Sequence, residues 1–290
     1  MSYPQVTVIV VPHQLFSYTQ ESLESIYQHT NIPFKLIYVD GYSPRRIKQY
    51  LEMESKEKGF RLISTEKYVS PNQARNIALK HVDTEYVVFI NNDVLVTPNW
   101  LNNLMQCAQE TNASVVSPVC LQELERHIHF AGGSLEFEYK DGSLDLFEKR
   151  LFLKNDYDRV KSLLTRQPTQ IIDFNCVLAR TSILQQIGNL DENLAFIEEI
   201  DFSLSVFAVG GSIYLEPKSI VNYIRVKELS LSDIPYYYLR WNYVWKRKSI
   251  KHFQGKWGLA KDAKFINNIL EPANNPIALT FKPLKELIKP

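Results

Sequence analysis

Residues 86–101 read YVVFINNDVLVTPNWL, and the fold turns on how that stretch divides. Tyr86–Ile90 is an unbroken apolar run, which suits a strand buried on both faces of a sheet. Three polar residues, Asn91, Asn92 and Asp93, follow at once. Thr97-Pro98 then opens a segment in which Leu101, Leu104, Met105 and Ala108 recur at helical spacing. Buried strand, polar turn and amphipathic helix together make one unit of an open α/β sheet.

The same pattern repeats on the N-terminal side. VTVIVV at 6–11 is a second doubly buried strand, stopped by Pro12, and Glu21–His29 places Leu23 and Ile26 on one helical face. FKLIYV at 34–39 ends at Asp40-Gly41, and Pro44 introduces a charged surface helix over Arg45–Lys58. Phe60–Ser64 is a third strand of this half, and Asn72 is the predicted cap of a helix running to His81. Downstream the reading is coarser. Ser114–Val119 and Ile171–Ala179 are predicted strands, Ile128–Tyr139 a hairpin turning through Gly132-Gly133, and 140–170 a long loop or short helix. Thr181–Ile187 and Glu198–Val209 are predicted helices, and Ser212–Leu215 is a strand closed by Pro217. One aromatic helix is expected from Asp233 to about Phe253, then an amphipathic arm over Phe265–Pro290.

Composition narrows the function. The 290 residues carry 33 Lys and Arg against 32 Asp and Glu, a net charge of +1, which argues against a nucleic-acid partner. At 45% hydrophobic and 22% charged the chain has the make-up of a folded globular protein. Cys107, Cys120 and Cys176 form no CxxC pair, so neither a disulfide framework nor a zinc ribbon is indicated, and a reduced, cytoplasmic setting fits. The 6–11 run is too short to span a bilayer. With 10 Gly and no GxGxxG after the first strand, a glycine-rich phosphate loop is excluded. A dinucleotide-dependent oxidoreductase and a nucleotidyltransferase lose ground with it.

In open α/β sheets ligands bind beyond the carboxyl ends of the strands. Asp40 and Asp93 both fall there. A carboxylate accepts hydrogen bonds only, which suits a ribose hydroxyl or a base N–H at the first position. At the second it suits a hard divalent cation bridging phosphates. For Asp40 a plain loop or cap role is equally compatible with its position.

Five motifs in series resemble the family 2 glycosyltransferases: VTVIVV, YVDG at 38–41, ARN at 74–76, YVVFINNDVLVTPNWL, and GNLDENLAFIEEIDFSLSVFAVGGSIYLEP at 188–217. The resemblance implies a single α/β domain of GT-A type over 1–225. Its nucleotide-sugar half would cover about 1–112 and its acceptor half about 113–225, with a helical extension at 226–290. It also implies transfer from a nucleoside-diphosphate sugar to a hydroxyl, with inversion, as in polysaccharide biosynthesis. Asp40 matches the nucleoside contact and Arg75 a residue near the diphosphate. Asn91-Asn92-Asp93 matches the DxD motif, with Asp93 on Mn2+ or Mg2+. Pro12 and His13 stand where relatives line the nucleotide. Glu198-Glu199 matches a Glu-Asp pair whose second member is the catalytic base. Glu199 is therefore the expected base, and a shift of the alignment would substitute Glu198 or Asp201.

Three positions depart from that pattern: Asn91 replaces a carboxylate, Glu199 replaces Asp, and Asn222-Tyr223 stands where relatives supply a metal-binding His. They keep a second class in view, a catalytically weak nucleotide-sugar-binding or scaffolding module. His127 and His129 can face one side of a strand, where structure outweighs metal binding as their role. The 233–253 segment mixes Tyr236, Tyr237, Tyr238, Trp241, Tyr243 and Trp245 with basic residues. Its aromatics are not confined to one face, which favours packing on the main domain or a homodimer over peripheral contact with the inner face of a membrane. The acceptor, a glycan, a lipid-linked glycan or a small molecule, is not encoded in any motif.

Overall fold

The computed structural model describes residues 5–122, 126–140, 143–224, 229–260 and 263–266. In chain order the elements are β1 (Val6–Val11), α1 (Thr19–His29), β2 (Lys35–Asp40), α2 (Arg45–Lys58), β3 (Arg61–Ser64), α3 (Pro71–Leu79), β4 (Tyr86–Asn91), β5 (Val94–Val96) and α4 (Trp100–Thr111). They continue as β6 (Val115–Gln122), β7 (His127–Phe130), β8 (Gly133–Lys140), β9 (Ser143–Arg150), α5 (Tyr157–Val160), β10 (Gln167–Pro168), β11 (Cys176–Arg180), α6 (Thr181–Ile187) and α7 (Glu198–Ala208). Last come β12 (Ile213–Tyr223), α8 (Ile234–Arg240) and α9 (Tyr243–Trp257).

A ten-stranded mixed sheet organises the molecule, with the main order β10-β12-β6-β11-β4-β1-β2-β3. β4, β1, β2 and β3 run parallel, so their carboxyl ends share one edge. β1 and β4 are buried along their whole length, as their near-continuous apolar runs require. Val6, Val8, Val10, Val88 and Ile90 face the layer that holds α1 and α4, while Ile9, Val11, Val87 and Phe89 face the layer of α3, α6 and α7. A one-residue slip would exchange the two sets, and with both faces covered either exchange is costly.

Several predicted elements differ from those observed. Ser70, not Asn72, caps α3: its Oγ accepts from Gln73 N at 3.3 Å while Gln73 Oε1 accepts from Ser70 N at 2.9 Å, a reciprocal box ahead of Pro71. Gly132-Gly133 is not a hairpin turn. β7 pairs with β6, and β8 pairs with β9 in a separate two-stranded sheet, so the two glycines hand the chain from one sheet to the other. Gly132 takes φ +79°, and a Cβ on Gly133 would run into the Lys149 carbonyl. The 140–170 stretch holds β9, the short helix α5 and the two-residue β10 where a loop or short helix was expected. β12 passes through Pro217 instead of ending there, because a bulge between Glu216 and Ile220 absorbs the missing N–H.

The aromatic segment is two helices. Asn242 breaks it and caps α9, its Oδ1 accepting from Val244 N at 2.8 Å. Tyr236 and Tyr237 are buried, and Ile250 and Phe253 of α9 join the main core. The predicted arm from Phe265 reaches Ile266 within the described residues; 267–290 lie outside them. No described helix is long and apolar enough to cross a membrane.

Candidate active site

The carboxyl ends of β1, β2 and β4 bring Pro12-His13, Asp40-Gly41 and Asn92-Asp93 to one edge. Gly41 is required there by close approach: a Cβ would overlap the Pro12 ring and lie 3.0 Å from Pro12 Cβ. Asp40 is buried. Its Oδ1 accepts from Ser43 N at 2.9 Å, while Oδ2 has no partner among the described residues. That orphaned oxygen is where a donor group would be met.

Asn92 is a bracket for the loop after β1: Oδ1 accepts from His13 N at 2.9 Å and Nδ2 donates to Leu15 O at 3.0 Å. It thereby delivers the His13 ring to Asp93, with Nδ1 3.2 Å from each carboxylate oxygen. Asp93 is fully buried, and among the described residues no Lys or Arg pairs with it. Asn91 joins Asn175 across the sheet, Nδ2 to Oδ1 at 3.1 Å, and keeps one buried oxygen unpaired. β5 pairs with β12 in the register Tyr223↔Val94, which fixes Tyr223 beside this group. The Tyr223 ring lies 4.9 Å from His129 and 6.2 Å from His13, and its hydroxyl accepts from Gln14.

A second group of carboxylates stands at the start of α7. Glu198 and Glu199 open this helix, which carries three carboxylates in its first turn, where the helix dipole favours negative charge. The three have different surroundings. Glu198 is buried and accepts from Arg240 at 3.0 Å. Asp201 points to α9, bound by Lys256 Nζ at 2.7 Å and by Trp257 Nε1 at 2.8 Å. Glu199 is half-buried, and among the described residues its carboxylate makes no hydrogen bond to another side chain. Burial, then the charges of Glu198 and Asp173, push its carboxyl up to about 8.

Arg75 lies beneath this pair. Its guanidinium is stacked 3.7 Å over Phe174 and donates to Asn72 Oδ1 at 2.9 Å. Burial draws its pKa down to about 10, with Glu198 and Glu199 pulling the other way, so it stays cationic. Asp173 completes the floor: His129 Nε2 stands 3.2 Å and Arg150 3.7 Å from its Oδ2, and Asn175 N donates to Oδ1 at 2.7 Å. Burial raises the Asp173 carboxyl, but His129, Arg150 and the Asn175 N–H outweigh it and hold the carboxyl at about 2.

The structure thus gathers Pro12, His13, Asp40, Asn91, Asn92 and Asp93 at one edge, and Arg75, Glu198 and Glu199 in a second group around the start of α7, while Asp201 turns away. Sequence reasoning missed Asp173, Arg150, Gln14 and Arg240. The one signal for Asp173 was a charge set inside the apolar run IIDFN. His127 and His129 stand on β7 without forming a metal cluster; none of three or more His, Cys, Asp or Glu occurs among the described residues.

The fold is the GT-A fold of glycosyltransferases. It superposes on GalNAc-T7, solved with UDP, GalNAc and Mn2+, at a TM-score of 0.60 and 15% identity, covering 96% of this chain and 58% of that one. It superposes on S. aureus TarS 1–349 in complex with UDP-GlcNAc at 0.54 and 18% identity, covering 98% and 76%. The chain itself belongs to glycosyl transferase family 2, whose profile matches residues 7–188. Among curated relatives it is 23% identical over 151 residues to the pre-mycofactocin glycosyltransferase of Mycobacterium tuberculosis, covering 52% of this chain and 29% of that protein. It is 26% identical over 108 residues to an uncharacterized glycosyltransferase of Rickettsia bellii, covering 37% and 16%. The chain therefore spans less than a third of the curated relatives it matches.

Proposed function

We propose that the protein transfers a sugar from a nucleoside-diphosphate sugar to a hydroxyl acceptor with inversion, Glu199 acting as general base. The observation that carries this is the pairing of two features: orphaned or cation-seeking oxygens on Asp40 and Asp93 at the strand ends, and, at the start of α7, a carboxylate without a side-chain hydrogen-bond partner among the described residues. In the reaction the acceptor oxygen passes its proton to Glu199 and forms a bond to the anomeric carbon. The bond from that carbon to the diphosphate breaks on the other face. A base with a pKa near neutrality is strong enough to accept that proton yet partly ionised at pH 7. The UDP-sugar and UDP in the structural neighbours support a uridine donor.

The residues present also fit a divalent cation. Asp93 is a buried carboxylate with a single imidazole neighbour, and a charge so placed asks for a positive partner. Asp93, with His13 beside it, would hold Mn2+ or Mg2+. Mg2+ commonly takes one or two carboxylates and substrate phosphates. When bound, the ion would stabilise the charge on the departing diphosphate. Asp40 would orient the nucleoside, and Arg75 would add fixed positive charge beside the α7 carboxylates. The three free cysteines fit a reduced, cytoplasmic setting, and the family resemblance fits a role in polysaccharide assembly.

Calorimetry with UDP, GDP and their sugars, each with and without Mn2+, tests the donor assignment. Uridine nucleotides should bind, and more tightly with metal; no binding by any member of the panel overturns it.

A further inference from the structure

We propose that Arg240, which lies beyond the family-matched segment, is a positioning residue for the reaction: it engages Glu198 so that the neighbouring Glu199 carboxylate is left to take the acceptor's proton. The proposal rests on the reading of Glu199 as base.

Two adjacent carboxylates at one helix start repel each other, and a site that leaves both in competition for one proton has no defined base. The structure breaks the symmetry. Arg240 donates to Glu198 Oε1 at 3.0 Å, and both partners are buried, at 5% and 2% side-chain exposure. A second nitrogen donates to Ala195 O, which ties the guanidinium to the turn leading into α7. The guanidinium lies against the rings of Phe196, at 4.8 Å, and Trp241, at 5.4 Å, which also contact each other edge to face. Among the described residues Glu199 has no such partner.

The other charges around the pair are already engaged or lie at a distance. Arg75 of α3 is bonded to Asn72 and stacked on Phe174. Arg150 of β9 is paired with Glu148 and Asp173. Asp173 is held by His129 of β7. Lys246 of α9 sits over the Phe196 ring at 5.9 Å, and the Tyr236 hydroxyl of α8 donates to Val69 O at 3.0 Å. Among the described residues Arg240 is the cation that forms an ion pair with either carboxylate of the pair.

Arg240 also arrives on a fixed support. Asp233 Oδ1, one residue before α8, accepts from Phe16 N at 2.8 Å and Ser17 N at 3.0 Å, and Trp241 Nε1 donates to Gln14 Oε1 at 3.1 Å. The helix that carries the arginine is thus bolted to the loop that carries His13. Its charge lowers the proton affinity of Glu199, against burial and Glu198. Loss of Arg240 leaves Glu198 buried and unpaired, and proton affinity at the pair rises.

The test is the pH profile of donor hydrolysis, with water as acceptor, measured as UDP release from a UDP-sugar between pH 5.5 and 9.5. UDP binding by calorimetry controls for the fold. Arg240→Met should move the acid limb up by about one pH unit or more and lower the rate at pH 7 by about tenfold or more. UDP affinity should stay within about twofold. Arg240→Lys should restore most of the limb. Glu198→Gln in the Arg240→Met background should bring it back down, because the unpaired charge is gone. Glu198→Gln alone should lower the limb below wild type, which keeps the test open if Arg240→Met does not fold. A loss uniform across pH with the limb unmoved, or no relief in the double variant, overturns the proposal. A Glu199→Gln variant that hydrolyses donor at the wild-type rate shows instead that the base is elsewhere, and the proposal falls with that reading.

Discussion

Replacing Glu199 with Gln should cost activity and gain stability together, with separate pH signatures. In the native chain Glu199 keeps its proton up to about 8, against an ordinary 4.5. Between those values the folded state binds more protons than the unfolded one, so stability falls as pH rises through the window. Below 4.5 both states are protonated and Gln is a near-neutral replacement. Above 8 both are ionised and the full cost of the buried charge is felt. Each tenfold change in proton affinity corresponds to about 1.4 kcal/mol. Solvent reaches the half-buried side chain and screens much of that, leaving a gain of about 1–2 kcal/mol for the Gln variant at pH 8.5. For a domain of this size that is a rise of roughly 2–8 °C in Tm, fading to nothing near pH 4.5. Donor hydrolysis should meanwhile drop about 10²–10⁴-fold. In the wild type the rate should rise between pH 7 and pH 8, as the raised Glu199 carboxyl gives up its proton. Scanning calorimetry at pH 4.5 and 8.5, beside the hydrolysis profile, reads both effects. A Gln variant that keeps its rate, or that melts no higher at pH 8.5, refutes the reasoning.

Asp93→Asn should abolish the metal's tightening of UDP binding, which in the wild type should be about tenfold or more; titrations with and without Mn2+ decide it. Gly41→Ala should destabilise the protein by about 1–3 kcal/mol through overpacking against Pro12, and should weaken UDP binding as the loop after β1 shifts; urea melts and calorimetry measure the two. Asp201→Ala should lower stability by about 1–3 kcal/mol by taking the acceptor from Trp257 Nε1 and leaving Lys256 to Asp191, while donor hydrolysis stays near wild type, and a large rate loss would return Asp201 to the list of candidate bases.

Local periodicity carried the strand and helix frame a long way. VTVIVV, Arg45–Lys58 and Thr181–Ile187 were legible to the residue because each is bounded by a chemical stop: Pro12, Gly59 and Gly188. What failed was pairing. Gly132-Gly133 reads as a turn whether the flanking strands pair with each other or with different partners, and only sheet order decides between the two. Pro217 reads as a stop unless the bulge that excuses it is known. The same limit divides the site. Asp40, Asp93, Glu198 and Glu199 could be picked out from residues beside them in the chain. The His129–Asp173–Arg150 group and the Arg240–Glu198 pair join residues dozens of positions apart, and no spacing rule connects them.

The Asp233 anchor has a consequence for how the protein is made. The loop after β1 is shaped by a carboxylate 217 residues further along, which accepts from Phe16 N and from Ser17. At ribosomal rates of about 5–20 residues per second, those N–H groups wait roughly 10–40 s for their acceptor. Through that interval the sheet can assemble while the nucleotide-side loop stays unfinished. A nascent chain stalled near residue 225 would hold that loop through Asn92 but not through Asp233, and its final shape would be set only when α8 leaves the ribosome.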